Sequence, residues 1–317
     1  MGSTGLRTAW ALFQGLLIEA LPFLLIGVLI SAIARWLAPG GRWLRRLPQG
    51  PLLAPLSGAL LGFALPACEC GNVPVARQML VGGAPLGAAL GFLFAAPVLN
   101  PIVLASTWAA FPNQPWLLLA RPLGAVLLTV ALALLLGLLP EPLLLQAAVL
   151  AQRRQALPLQ QASLLQRRDG VLGSAPPPAP SRRPELAELL RHGGQEFLQL
   201  ALLLVIGCAI AALVQTLVPR QWLLAVGGAP TLSIVALMVL ALVVSVCSSV
   251  DAFLALSFAA QVTPGALLAF LLLGPVIDLK LVGLLGLLLR PRAVLIASVG
   301  AMLGVLLIGQ WVNLWAL

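Results

Sequence analysis

Charge is what this sequence lacks. Only 9% of its 317 residues are charged, nine are acidic and one is histidine. Soluble domains carry about 25% charged and about 45 to 50% apolar residues, and this chain is 61% hydrophobic, so a soluble domain is excluded. The single histidine, His192, leaves a histidine-based metal centre without ligands. No G-x-x-x-x-G-K-[ST] run occurs, so a nucleotide-driven motor has no support here. The four cysteines (Cys68, Cys70, Cys208, Cys247) are an even number, but none sits in an evident extramembrane loop, which argues against a disulfide framework. No cofactor and no resident metal is expected.

What the sequence does have is length in its apolar runs. A bilayer core about 30 Å thick needs roughly 20 apolar residues per helical crossing, and such runs recur along the whole chain. The expected class is an all-α integral membrane protein, multi-pass, in a cell inner membrane or plasma membrane. The first run, Thr8 to Leu37, is too long for a signal-peptide core and is read as a span. The opening MGSTGL has Leu6 where a myristoylation signal wants Ser or Thr. The net charge of +9 does not point to nucleic acid, because seven of the 18 basic residues (Arg153, Arg154, Arg167, Arg168, Arg182, Arg183, Arg191) fall between Pro140 and Gly194. That stretch contains SAPPPAPSRRP, a linker composition, and basic loops beside spans orient a membrane protein without any ligand. Anionic membrane lipid, a soluble partner at the linker, or a homodimer are the partners the sequence leaves open.

The chain repeats itself. Laying residues 10–139 over 190–317 puts Glu19 on Glu196, Cys68 on Cys247, Asn72 on Asp251, Pro85 on Pro264, Pro97 on Pro275 and Asn100 on Asp278. The expected division is a first transmembrane repeat at 1–139, a cytoplasmic Arg/Pro-rich linker at 140–194 and a second repeat at 195–317. Arg35, Arg42, Arg45 and Arg46 follow the first span and the linker holds more arginines, so both belong on the cytoplasmic side. Spans at about 52–67, 73–95, 98–112 and 116–139 then complete five segments per half. An odd number inverts the second copy, and the arginines agree: Arg290 and Arg292 precede the last span where the first half has uncharged PNQP. The expectation is two inverted-topology repeats, about 8–10 transmembrane or re-entrant helices, with helices broken at the midplane.

Five of the acidic residues, Glu19, Glu69, Glu196, Asp251 and Asp278, fall within apolar segments. A carboxylate inside a bilayer costs a few kcal/mol and marks a pathway or proton site, so these five are the proton-coupling candidates. Helix-end snorkelling, or pairing with a neighbour such as Arg77 or Lys280, is the plainer alternative. Pro66, Gly71 and Pro74 should break the helix around Cys68 to Asn72, and freed backbone is tolerated only where it lines a cavity. Symmetry would bring Cys68 and Cys70 opposite Cys247, three thiols in one pocket, and polarisable sulfur suits soft metals and metalloids. Asn72, Asn100 and Arg77 would line the same polar centre. Each cysteine could instead be a small buried hydrophobe, Cys208 above all.

CECGNVPVARQMLVGGAPLGAALGFLFAAPVLNPIV, followed by SVCSSVDAFLALSF and FLLLGPVIDLK, resembles the predicted permease family that contains the ArsP-type organoarsenical efflux permeases. The likeness runs from about residue 10 to 315. It implies an integral-membrane permease, no enzyme, with trivalent organoarsenicals such as methylarsenite as a substrate class and Cys68, Cys70 and Cys247 as the motif cysteines. Glu69 between the thiols could repel an anion or take a proton when a thiol is metallated. Proton-coupled export of a soft, thiol-reactive solute is therefore the expectation, with a membrane thiol oxidoreductase or a channel or scaffold subunit of a multi-component system as rivals.

Overall fold

Proline and glycine decide where the helices of this chain begin and end. The computed structural model describes residues 3–37, 44–64, 69–154, 186–217 and 230–316. The first half contains α1 (Ser3–Leu37), α2 (Leu53–Ala64), α3 (Glu69–Val81), α4 (Leu86–Leu99), α5 (Pro101–Ala110) and α6 (Pro115–Gly137). A short α7 (Glu141–Leu144) and α8 (147–154) follow. The second half contains α9 (Leu186–Leu217), α10 (Pro230–Val244), α11 (Asp251–Leu256), α12 (Pro264–Val276), α13 (Leu279–Leu285) and α14 (Pro291–Ala316). Pro101, Pro115 and Pro264 each start a helix, where the missing N–H has no intrahelical partner to lose.

Among the described residues six segments are long and apolar enough to cross a membrane, namely 7–33, 86–110, 115–137, 193–216, 264–285 and 291–315, and α2 and α10 are shorter apolar helices. Their outward faces carry Leu119, Leu123 and Leu127 on α6 and Leu303, Leu307 and Trp311 on α14, all exposed. Leucines at such spacing on an open face meet acyl chains, not water. Inward lie small residues, Ala297, Ala301 and Val305 on α14 and Ala125 on α6. The chain is thus an all-α multi-pass membrane protein.

Two spans differ from their sequence-based bounds. The run at 73–95 is divided: Gly83 adopts φ 88°, with Ala84 N–H bonded to the Met79 carbonyl and Gly83 N–H to that of Leu80, which ends α3 before Pro85 starts the next segment. The run at 98–112 is joined to α4 as one crossing, Leu86–Ala110, jointed at Asn100. A third difference lies at Gly71 and Pro74, which do not break the helix, since Glu69–Val81 is helical throughout. Pro74 is only the sixth residue of α3, so the one helical bond it forfeits is to the Cys70 carbonyl.

Glycines set α2 directly on α4. A Cβ at Gly91 would collide with the Pro55 backbone, one at Gly58 with that of Ala88, and one at Gly62 with Ala96, so the two helices run parallel. α3 then returns to the start of α4. At about 1.5 Å per residue, 12 or 13 residues reach about 18 to 20 Å, short of a crossing, so α2 and α3 form a helical hairpin that enters and leaves at one end of the bundle. α10 and α11 form a second hairpin at the other end. Pro230 and Thr263, which flank it, are both bound by the Asn313 amide near the end of α14, at 3.4 and 3.2 Å. The bend between α10 and α11 includes Ser245 at φ 47°.

The start of the expected linker is packed onto the bundle. Leu145 bridges Leu289, and the Gln146 amide donates to the carbonyls of Gly286 (2.8 Å) and Leu289 (3.2 Å). Arg153 is buried, donating to the carbonyls of Leu80 (2.8 Å) and Ala84 (2.9 Å) and pairing with Glu141 at 3.2 Å. Residues 141–154 therefore tie the turn after α3 to the turn before α14.

Candidate functional site

The tips of the two hairpins meet. Glu69 opens α3, and Cys247, Ser248 and Ser249 occupy the bend before α11. The Cys247 carbonyl accepts the amides of Val250 and Asp251 at 3.0 and 3.1 Å, which turns the chain into α11 and leaves the side chains of the bend facing α3. The Cys247 thiol lies 4.0 Å from Glu69 Oε2, and Ser248 Oγ donates to the same oxygen at 3.3 Å. Ser249 Oγ is 3.5 Å from the Cys247 sulfur, and Glu19 on α1 lies beside Cys247.

Two ion pairs flank this contact. Lys280 Nζ sits 3.7 Å from Glu69 Oε1 and 3.4 Å from Asp278 Oδ2, and Arg121 pairs with Asp251. Arg121 also donates to Thr107 Oγ1 (2.6 Å) and to the Ser248 carbonyl (3.5 Å). Ser248 thereby joins the pairs into one chain, from Lys280 through Glu69 and Ser248 to Arg121 and Asp251. Every member is buried, with Arg121 at 0% and Lys280 at 2% exposure. Charges inside a bilayer persist only when paired and hydrogen-bonded, which is what this chain of contacts does. The pairs are reciprocal: the first half supplies the carboxylate Glu69 and the cation Arg121, the second half the cation Lys280 and the carboxylate Asp251.

The structure brings together Glu19, Glu69, Cys247, Asp251 and Asp278, with Cys70 next to Glu69 and near the Lys280 ammonium. Asp278 also caps α13, accepting the Leu281 amide at 2.6 Å, and Asn100 caps α5 the same way through Ile102 at 2.9 Å. Asn72 follows Glu69 by nearly one turn of α3, fully buried, and neither of its amide atoms has a hydrogen-bond partner among the described residues. Arg77 is eight residues beyond Glu69, about 12 Å along the axis, and reaches Gln152 at 3.5 Å, towards the 141–154 segment. Cys68 lies outside the described residues, and so does the side chain of Glu196, which belongs to α9. Cys70, Cys208 and Cys247 form no disulfide among the described residues, and all three are buried. Among the described residues no three His, Cys, Asp or Glu side chains are arranged to hold a metal ion.

Sequence reasoning passed over Arg121, Thr107 and Ser248 and treated Lys280 only as a neighbour of Asp278. A signal existed for two of them. Arg121 is the one charged residue in the 23-residue α6, and Lys280 is the one lysine among 18 basic residues. Two grooves lie elsewhere: one of about 600 Å³ between α1 and α9, lined by Trp10, Phe13 and Leu213, and one of about 820 Å³ beside α6 and α14, lined by Trp116, Leu268 and Trp311. Both are apolar, and neither contains the buried charges.

A multi-pass bundle whose broken helices meet at buried ion pairs and thiols is the build of a membrane permease. The chain belongs to the predicted permease family, whose profile matches residues 5–314. It is 37% identical over 270 residues to the UPF0718 protein YcgR of Bacillus subtilis, covering 85% of each chain. It is 30% identical over 270 residues to a Streptococcus mutans protein named as a candidate subunit of a two-component membrane permease complex, covering 85% of this chain and 83% of that one. No solved structure matches it. The protein is a multi-pass permease of the plasma membrane.

Proposed function

We propose that this permease is a secondary transporter that exports a small, soft, thiol-reactive solute, a trivalent organoarsenical such as methylarsenite, in exchange for protons. The observation that carries this reading is the approach of the Cys247 thiol to Glu69, the residue between Cys68 and Cys70. Two thiols bind methylarsenite by forming two As–S bonds as two As–OH bonds break. Each thiol proton leaves with a hydroxide as water, and reversal releases the solute. Glu69 and Glu19, both against Cys247, are placed to take and return those protons, and Asp251, Asp278 and Glu196 would balance or relay charge. Asn72 and Asn100 would complete the polar lining, with Arg77 at its approach.

Two inverted repeats rocking about the hairpin tips would give alternating access. In support, α6 ends and α14 begins at the 141–154 segment, so these corresponding helices run in opposite directions, and α1 and α9 pack antiparallel with Val28 against Gly193 and Phe13 near Leu213. The arginines of the loop after α1 and of the linker would face the cytoplasm.

The test is uptake into everted vesicles of methylarsenite, antimonite and thiol-inert control solutes, with and without a pH gradient, in the native protein and in Cys70→Ser and Cys247→Ser. Gradient-dependent methylarsenite uptake lost in both variants is expected. Uptake unchanged in both would end thiol binding.

A second reading, that the chain is one subunit of a two-part permease, has the name of its Streptococcus mutans relative in its favour. Its partner would dock on the linker face, and uptake by the purified chain alone in liposomes would overturn it.

A further inference from the structure

The chain has 17 arginines and one lysine, and that lysine is buried where the hairpin tips meet. Arginine would be the ordinary choice for a permanent ion pair, since its guanidinium stays charged, as in the pair that one guanidinium nitrogen of Arg121 makes with one oxygen of Asp251. Lysine presents a single compact charge that can serve two carboxylates in turn. Lys280 does face two, Glu69 on the first hairpin at 3.7 Å and Asp278 of its own half at 3.4 Å. Its backbone packs closely on α9 at Gly207, where an added Cβ would lie 3.1 Å from Lys280 Cα, a tight contact. The base of the side chain is therefore fixed and only its tip can change partner. The other titratable groups in its neighbourhood are Cys70 of α3, Cys247 of the second tip, Glu19 of α1 and Cys208 of α9.

Resting on the thiol-binding reading above, we propose that Lys280 is the positioning residue that couples the thiols to movement. Its ammonium, 3.7 Å from Glu69 Oε1, favours the carboxylate form beside Cys247, so that Glu69 accepts the thiol proton as sulfur bonds the solute. Once Glu69 is neutral it no longer holds the ammonium, which stays with Asp278, and the ion pair between the first hairpin and the second half opens. When the leaving hydroxide takes the proton from Glu69 and departs as water, the pair can close again. No electron is transferred and the proton is conserved at each step.

The sign of the coupling can be read from two substitutions. Lys280→Met removes the positive charge beside Glu69 and the thiols, so protonation there becomes easier. Asp278→Asn removes a competing negative charge, so protonation becomes harder. Asp278→Asn should fold, because Asn100 already caps α5 through the same side-chain oxygen. In everted vesicles the acid limb of methylarsenite uptake should move up by about one pH unit in Lys280→Met and down by a similar amount in Asp278→Asn. Lys280→Arg, which keeps the charge but holds its carboxylate more permanently, should keep the native pH profile while slowing uptake.

The pH profile of N-ethylmaleimide alkylation at Cys247 in the purified protein should move with the same two signs. That readout needs no transported solute. Absent uptake with opposed alkylation shifts would overturn the soft-solute reading and leave Lys280 in its role. Profiles that do not move, or that move the same way in both variants, would overturn the role of Lys280 whatever the solute. If Lys280→Met does not fold, Asp278→Asn alone decides it: an alkylation profile that stays put or rises refutes the proposal.

Discussion

Ser248 donates a hydrogen bond to Glu69 across 179 residues of sequence, at 3.3 Å. The same offset lays Cys68 over Cys247 and Asn72 over Asp251 in the sequence, so the two residues in contact are also aligned with one another in that overlay. The hairpin tips therefore bring the halves together at the level of Glu69 and Cys247, and the two ion pairs lie on either side of that contact.

Arg121 and Asp251 are each other's counter-ion, with side-chain exposures of only 0% and 4%. Arg121→Met should strand the Asp251 carboxylate and lower stability by about 3 to 5 kcal/mol, the range for removing one partner of a buried pair. Arg121→Met with Asp251→Asn should recover most of that loss, because no unpaired charge remains. Thermal unfolding of the detergent-purified variants checks this. A double variant no more stable than Arg121→Met would show that the pair is not the reason.

Arg153 should behave as a local clasp. Arg153→Ala removes charge-assisted hydrogen bonds to the Leu80 and Ala84 carbonyls, worth about 1.5 to 3 kcal/mol each. Opening of the 147–154 helix should become easier by about 2 kcal/mol or more, and tryptic cleavage after Arg154 faster by at least about tenfold. Cleavage kinetics followed by mass spectrometry measure it, and an unchanged rate would mean that Gln146 and the Leu145–Leu289 bridge hold the segment without Arg153.

Two glycines in apolar helices should respond in opposite ways to alanine. At Gly91 a Cβ would collide with the Pro55 carbonyl, so Gly91→Ala must push α2 off α4 and should reduce the folded yield in fluorescence-detected size-exclusion chromatography. At Gly137 nothing lies within 4 Å, so Gly137→Ala should be neutral or gain up to about 1 kcal/mol of helix propensity. Equal behaviour of the two variants would contradict the packing of α2 on α4.

The parts of the site that were legible in the sequence were those whose chemistry is improbable in an apolar chain. Glu69, Asp251 and Asp278 stood out because carboxylates are costly in a bilayer, and Cys247 because it aligned with Cys68. Lys280 was legible as a pairing neighbour, which its contact with Asp278 bears out, but Arg121 was passed over because a cation in an apolar run is informative only once its partner is known, and its partner is distant: Arg121 meets Asp251 130 residues away. The helical course of Glu69–Val81 was misjudged for a local reason. Gly71 and Pro74 disfavour helix interiors, but near a helix start most of the hydrogen bonds they would disrupt are absent anyway.

By itself the sequence determined that this chain must live in a membrane, must be helical there, and must place its few charges away from lipid, because hydrocarbon leaves backbone and carboxylate no other partners. Which charges pair, that two hairpins stop short and meet at their tips, and that a single lysine ends between two carboxylates were decided only in three dimensions. Those outcomes depend on glycine-permitted backbone contacts and on ion pairs between segments more than a hundred residues apart, and neither leaves a periodic mark on the chain.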